Sequence, residues 1–369
     1  MDERIVPNKC GQPISEWDRK HRLPIDRKVG PVIADDGTIF RVNSCYMDVS
    51  DEPFCSRQWI AAATLVALVA TIVGLFFSML PYLYNRLGSE HAAGTFALLI
   101  WSVPMMLGFG YMAFRTGRDE FFSLTRRTIR FHRREKKIFQ IRRRRFFAKP
   151  GEGDICWEVP WSDRTIFCVH KGTKTTFTNY QIMGYVLDES GLVERAFAIG
   201  KDWPELPGLE YLLAQWNYYC AFMNDGPETL PSPMLYLSEK EDVRESFLHC
   251  MYEIDHSAGI VFRILFMPAI LGLTCLRVLS LSTCRAPIWP DDVDRLCALD
   301  ASDVHAQPSG KTPIGWAATV LAKHRNEYPH FPRKEVIGWS GQSESKNAEL
   351  WAEEVSPLND VAPYPARAS

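Results

Sequence analysis

Two long uncharged runs constrain this chain more than any other feature. Trp59 to Tyr84, "WIAAATLVALVATIVGLFFSMLPYLY", holds 26 residues without a charge, and His91 to Phe114 holds 24 with only a terminal His. Each exceeds the roughly 20 residues a helix needs to cross a hydrocarbon core. A buried helix of a soluble protein normally keeps a polar stripe, and neither run has one. The six-residue link "NRLGSE" makes the two runs a tight helical hairpin. Ala63, Ala67, Ala70 and Gly74 form a small-residue ridge on which the partner helix can approach closely. Pro104 is expected to kink the second helix, and Trp59, Tyr82, Tyr84 and Tyr111 stand where interfacial aromatic residues stand.

Orientation follows from charge. Arg115 to Lys149 carries fourteen Lys and Arg against three acids, while the interhelical link carries one Arg. The positive-inside rule then places both termini in the cytoplasm. Within this stretch "FHRREKKIFQIRRRRFF" (Phe131 to Phe147) is strongly basic, yet the chain as a whole has 42 Lys+Arg against 44 Asp+Glu. That balance argues against nucleic acid as a partner. Arg142, Arg143, Arg144 and Arg145 are expected at an anionic inner leaflet. The N-terminus has no apolar signal region. Ten scattered Cys, with no CxxC pair, form neither a zinc motif nor a disulfide framework and fit a reducing cytosol.

Beyond the second run the hydrophobic period changes to two. Thr128 to His132 and Ile138 to Arg143 read as a β-hairpin, with Ile129 and Phe131 facing the same core as Phe139 and Ile141. Four more β-like stretches follow to Gly200, then a helical pattern from Gly208 to Asn224. Asp36-Gly37 between alternating runs predicts an N-terminal hairpin over 31–42. Ser238, with Glu241 three residues on, reads as the capping box of a helix to Glu253. A third apolar stretch, Ala258 to Leu281, contains Arg263 and Arg277 with thirteen uncharged residues between them, too few to cross a bilayer. It is expected to be an interfacial or re-entrant helix whose two Arg reach the headgroups, a buried soluble helix being the alternative. Pro290 opens a short helix, and another runs from Gly315 to His324.

The predicted fold class is an α+β membrane protein: a two-helix transmembrane hairpin plus a cytoplasmic antiparallel β domain, pleckstrin-homology-like in arrangement, with C-terminal helices. The segments are an N-terminal piece with a β-hairpin (1–58), the helical hairpin (59–84 and 91–114), a β-rich domain closed by a helix (115–231), a helical region (232–339) and a disordered tail (340–369). No catalytic, cofactor or metal set emerges. "SGKT" at Ser309 lacks the upstream Gly of a phosphate loop, and "GWSG" at Gly338 lacks nucleophile-elbow spacing. His249, Glu253, Asp255 and His256 read as a surface cluster.

The succession of hairpin, basic β-hairpin, "WEVPW" (Trp157 to Trp161), "GYVLDESGLVERAFAIG" (Gly184 to Gly200), "EYLLAQWNYYCAFMNDGPETLP" (Glu210 to Pro231) and "RAPIWPDDV" (Arg285 to Val293) resembles a family of uncharacterised proteobacterial inner-membrane proteins, a domain of unknown function. Its genes often lie near type VI secretion toxins. The resemblance covers about residues 30 to 300 and carries over no catalytic residue. It implies a non-enzymatic inner-membrane protein that acts by binding, as an immunity or accessory factor for such a toxin. The alternative is a membrane-tethered sensor or scaffold whose β domain binds anionic lipid or a regulatory protein.

Overall fold

The computed structural model describes residues 10–29, 32–35, 37–51, 54, 57–75, 80, 84, 92–144, 153–174, 177–255 and 260–328. The link "NRLGSE", Asp36, Arg145, the "GWSG" stretch and the tail from Ser340 lie outside these residues. The chain forms two compact units, one from Met1–Cys55, Arg126–Glu239 and Pro287–Ser369, the other from Ser56–Thr125 and Lys240–Ala286.

The first unit is built on two antiparallel sheets. One has five strands in sequential order: β2 (Ile39–Val42), β3 (Tyr46–Val49), β4 (Ile129–His132), β5 (Lys137–Arg142) and β6 (Ile155–Pro160). The other joins β1 (Arg22–Leu23), β7 (Thr165–Lys174), β8 (Phe177–Leu187) and β9 (Val193–Pro204). The six strands expected after the apolar runs are present, in two sheets. The N-terminal hairpin is displaced from its expected place. Strand β2 turns through Asn43–Cys45 to pair with β3, and Asp35 instead binds the Gly37 and Thr38 amides in a local turn. Asp35 therefore makes an Asx-type turn where the Asp-Gly pair alone suggested a hairpin tip.

The β4–β5 hairpin forms as expected, but its register differs by one residue. Phe131 pairs with Ile138 and Ile129 with Gln140, so Ile138 joins Ile129 and Phe131 in the main core while Phe139 faces the opposite side. A one-residue slip exchanges every face. Both faces of this sheet are buried, so alternation alone could not fix which residues point to the main core.

That core is aromatic. Phe131 stacks on Tyr219 with centroids 4.8 Å apart, and Trp161 lies 5.2 Å from Phe167 and 5.4 Å from Trp216. Trp216 and Tyr219 belong to α4 (Glu205–Asn224), whose inward face closes the unit. Each buried ring removes roughly 150–250 Å² from water, a gross gain of about 4–6 kcal/mol. The Trp216 indole N–H donates to the Pro24 carbonyl at 2.9 Å, which satisfies its polar end. Gly184 is required at its place: the Phe197 ring, from the paired position on β9, lies 2.4 Å from where a Cβ would stand. Short helices α1 (Glu16–Lys20), α8 (Asp291–Leu296) and α9 (Gly315–His324) complete this unit.

The second unit is helical: α2 (Arg57–Ile72), α3 (Ala92–Glu120), α5 (Val243–Asp255), α6 (Ile260–Leu265) and α7 (Met267–Thr283). Helices α2 and α3 are antiparallel. Thr64 Oγ1 donates to Thr116 Oγ1 at 2.8 Å, while Gly117 and Gly110 admit the methyl groups of Thr64 and Thr71. Met106 reaches the Gly74 position, 3.2 Å from where its Cβ would be. Of the expected ridge, Ala67 is buried and Ala70 and Gly74 are half-buried, but Ala63 is exposed. The seam turns instead through Ala61 and Thr64, whose hydroxyl oxygen lies within 2.9 Å of the Ile60 carbonyl of its own helix, so that the side chain stays close to the backbone like a small residue.

Helix α5 starts later than expected. Asp242, not Ser238, caps it by accepting the Glu245 amide at 2.7 Å, and Glu241 is committed elsewhere. The third apolar stretch is one kinked helix. Backbone bonds continue from Ile270 to Phe266 and from Phe266 to Phe262, but Pro268 has no amide to donate and interrupts the ladder.

Candidate membrane-anchoring site

The helical unit inverts the usual distribution of polarity. Arg57 at the start of α2 and Glu120 at the end of α3 are both buried and lie 3.4 Å apart. Arg57 also donates to Ser280 Oγ at 3.1 Å and to the Leu124 carbonyl at 2.9 Å, and Ser280 donates to Glu120 at 2.5 Å. A second buried pair lies beside it. Arg277 on α7 binds both Glu241 oxygens, at 2.8 and 2.6 Å, and donates to Gln58 at 2.8 Å. Burial alone would raise the Glu241 carboxyl, but the Arg277 guanidinium outweighs it and, with the Ser246 hydroxyl, holds it down at about 2. The geometry is bidentate, the arrangement in which Arg best compensates a desolvated carboxylate.

This overturns one expectation outright. Arg277 is 0% exposed and closes the interior, so it does not reach outward to headgroups. Arg263, on α6, is half-buried. Glu241, at the approach to α5, meets Arg277 inside the unit and holds it there.

The exterior carries the apolar residues. On α2, Leu65, Val66, Leu68, Val69 and Ile72 are exposed, and on α3 Ile100, Trp101, Met105, Leu107, Tyr111, Met112 and Phe114. Trp101 is 81% exposed and Leu107 69%, values that would be costly in water. Among the described residues one helix, Arg57–Leu75, is long and apolar enough to cross a membrane, judged by length and composition, and Met267–Thr283 is shorter.

The basic run resolves into separate roles. Arg142 is buried, its guanidinium 4.5 Å from the centre of the Trp157 ring, and so is a packing residue of the sheet. Arg143 is exposed, and the Arg144 amide donates to Asp154 at 2.7 Å. Strand alternation hid this, because an Arg lying flat on an aromatic ring occupies a core position without losing its charge. Trp157 and Trp161 of "WEVPW" thus have structural roles, one under Arg142 and one in the main core.

Two further polar clusters lie in the β unit. Arg130 binds Asp48 through two bonds at 2.7 and 2.9 Å and lies between the Tyr46 and Trp289 rings, 4.0 and 4.1 Å from their centres. Cys45 Sγ stands 3.2 Å from His132 Nε2 nearby. Burial pushes the Cys45 and Cys297 thiols up, and Cys156 up to about 12, which makes these groups poor nucleophiles. On the other sheet, buried Asp18 accepts the Tyr185 hydroxyl at 2.7 Å and lies 2.8 Å from His170 Nδ1, which ties α1 to β7 and β8. Among the described residues no group of three or more His, Cys, Asp or Glu is placed to hold a metal ion.

A family model described as a family of unknown function (DUF6708) matches residues 106–301, more than half of the 369-residue chain. The chain belongs to this family. The match runs from the second half of α3 through the β unit to just past α8, and so includes Arg130, Glu241 and Arg277. Its end agrees with the expected extent of the resemblance near residue 300, while its start lies well inside it. No curated protein and no solved structure matches the chain.

Proposed function

We propose that the helical unit is a membrane anchor and that the β unit is a cytoplasmic binding module attached to it. One observation carries the reading: large apolar side chains cover the outside of α2 and α3, while the charged side chains at the Arg57–Glu120 end pair with one another. Hydrocarbon favours that arrangement, since apolar surface costs nothing against acyl chains and an unpaired charge costs several kcal/mol. In this reading α2 and α3 form two spans, both termini lie in the cytoplasm, and the membrane is the inner membrane of a bacterium. The β unit is read as pleckstrin-homology-like, two antiparallel sheets closed by α4. Alkaline carbonate extraction of membranes containing the full chain tests the anchor: the protein stays in the pellet, and release into the supernatant overturns the reading.

For the β unit we propose a binding role without catalysis. Its buried polar groups close on one another, as Asp48 does on Arg130 and Asp18 on Tyr185. The resemblance in its motifs supports an immunity or accessory factor for a type VI secretion toxin. Coexpression with the toxin encoded beside the gene should restore growth and copurify the two proteins. Continued killing with no copurification overturns that role and leaves the anchor intact.

A further inference from the structure

The helical register gives the kinked α6–α7 helix a definite depth. Arg57 meets Ser280, Gln58 meets Arg277, and Ala62 packs with Ile270 and Leu273, so α2 and α7 run antiparallel. Ten residues of helix rise about 15 Å, which brings Met267 level with Leu68. On the other side, the Thr64–Thr116 bond and the Thr71–Gly110 contact bring Leu68 level with Ala113. The exposed Arg115 and Arg118 stand roughly 3 and 7.5 Å below that level, on the side of the ion pairs. Helix α6 continues beyond it, past the Pro268 kink.

At and beyond that level the exposed residues described on α2 and α3 are apolar. Leu68, Val69, Ile72 and Val73 on α2 are exposed, as are Leu107, Tyr111 and Met112 on α3. The tip of the kinked helix matches them: Val261, Phe262, Ile264, Leu265 and Phe266 are all exposed, and Phe262 stacks on Phe266 at 4.2 Å. Five of the six residues from Val261 to Phe266 are thus exposed and apolar, and the sixth, Arg263, is half-buried.

Resting on the anchor reading above, we propose that the α6 tip is a re-entrant wedge held in the acyl chains of the cytoplasmic leaflet. Arg115 and Arg118 mark the headgroup plane, and the Arg57–Glu120 and Arg277–Glu241 pairs lie on its cytoplasmic side. The occupant is lipid, because the tip continues the apolar band of α2 and α3 at the same level. Helix α5 leads toward this tip and α6–α7 lead back, since Glu241 meets Arg277 and Cys250 packs with Ile270 and Leu273, so the chain enters without crossing.

The test uses the full chain reconstituted in vesicles of lipids brominated at mid-acyl positions. Leu265, Leu68 and Val304 are replaced in turn by a dansyl-bearing amino acid, all three being exposed so that the label displaces no packing. Quenching at Leu265 should equal that at Leu68, with Val304 unquenched. Quenching at Leu68 but not at Leu265, repeated with the label at Ile264, overturns the wedge and leaves the anchor standing. Absence of quenching at both Leu68 and Leu265 overturns the anchor, and the wedge with it.

Discussion

The two units solve the same packing problem with opposite chemistry. In the β unit, Phe131, Trp161, Phe167 and Trp216 fill the centre. In the helical unit, Arg57, Glu120, Glu241 and Arg277 hold the interior, and Val66, Trp101 and Leu107 face outward. On the anchor reading proposed above, the contrast reflects two different solvents. A sheet facing water gains by hiding rings, whereas helices facing acyl chains lose nothing by showing apolar side chains.

The comparison can be broken most directly at Arg277. Arg277→Ala strands a desolvated Glu241 carboxylate, which should cost about 3–5 kcal/mol. Buried Cys250, on α5, reports the loss through its reaction with a pyridyl disulfide in detergent micelles. Replacing Arg277 by Met and Glu241 by Leu together should recover most of the protection. An unchanged Cys250 rate in Arg277→Ala would mean that the interior is not held by its ion pair.

The counterpart in the β unit is Trp216→Ala, expected to cost about 3–5 kcal/mol through the cavity it leaves. Urea unfolding followed by β-sheet circular dichroism measures it. Cys250 should keep its protection at urea concentrations that unfold the variant sheets; joint loss would merge the two units into one cooperative block.

Acid should separate the units again. The Glu241 carboxyl ordinarily titrates near 4.5 and is held at about 2 in the folded chain, so its stabilisation is complete above pH 4.5 and is lost as pH falls toward 2. The amount is on the order of 3 kcal/mol. Pyridyl disulfides react at acid pH, so Cys250 exposure across that window can be read directly. A Glu241→Gln variant should flatten the profile.

The smallest effect concerns the basic run. Arg142→Ala should cost about 1 kcal/mol by losing its place on Trp157. Arg143→Gln should change stability by less than about 0.5 kcal/mol, because its side chain is exposed. Equal effects in urea unfolding would contradict the division of the run into a packed and a solvated half.

Much of the architecture was legible in the sequence because it rests on local periodicity. Uncharged runs gave α2 and the body of α3, and alternation gave β4 to β9. What escaped was long-range pairing. Nothing in the sequence near Arg277 points to Glu241, 36 positions away, or to Gln58, 219 away. An Arg within an apolar helix was a readable signal of something costly. Its resolution by an internal carboxylate needed the tertiary structure. Arg142 escaped for a related reason, since charge was read as exposure when an aromatic ring across the strand had already claimed it.

Strands β3 and β4 are neighbours in one sheet, with Val49 paired to Ile129. Between them the chain makes α2 and α3. At about 5–20 residues per second a ribosome takes several seconds to cover that interval. β3 therefore waits as an open edge while the helices emerge, and the sheet closes only after they have left the exit tunnel. Synthesis order thus makes the helical hairpin the first long element committed and the sheet its dependent. A destination for α2 and α3 must be available before the β unit can complete its largest sheet.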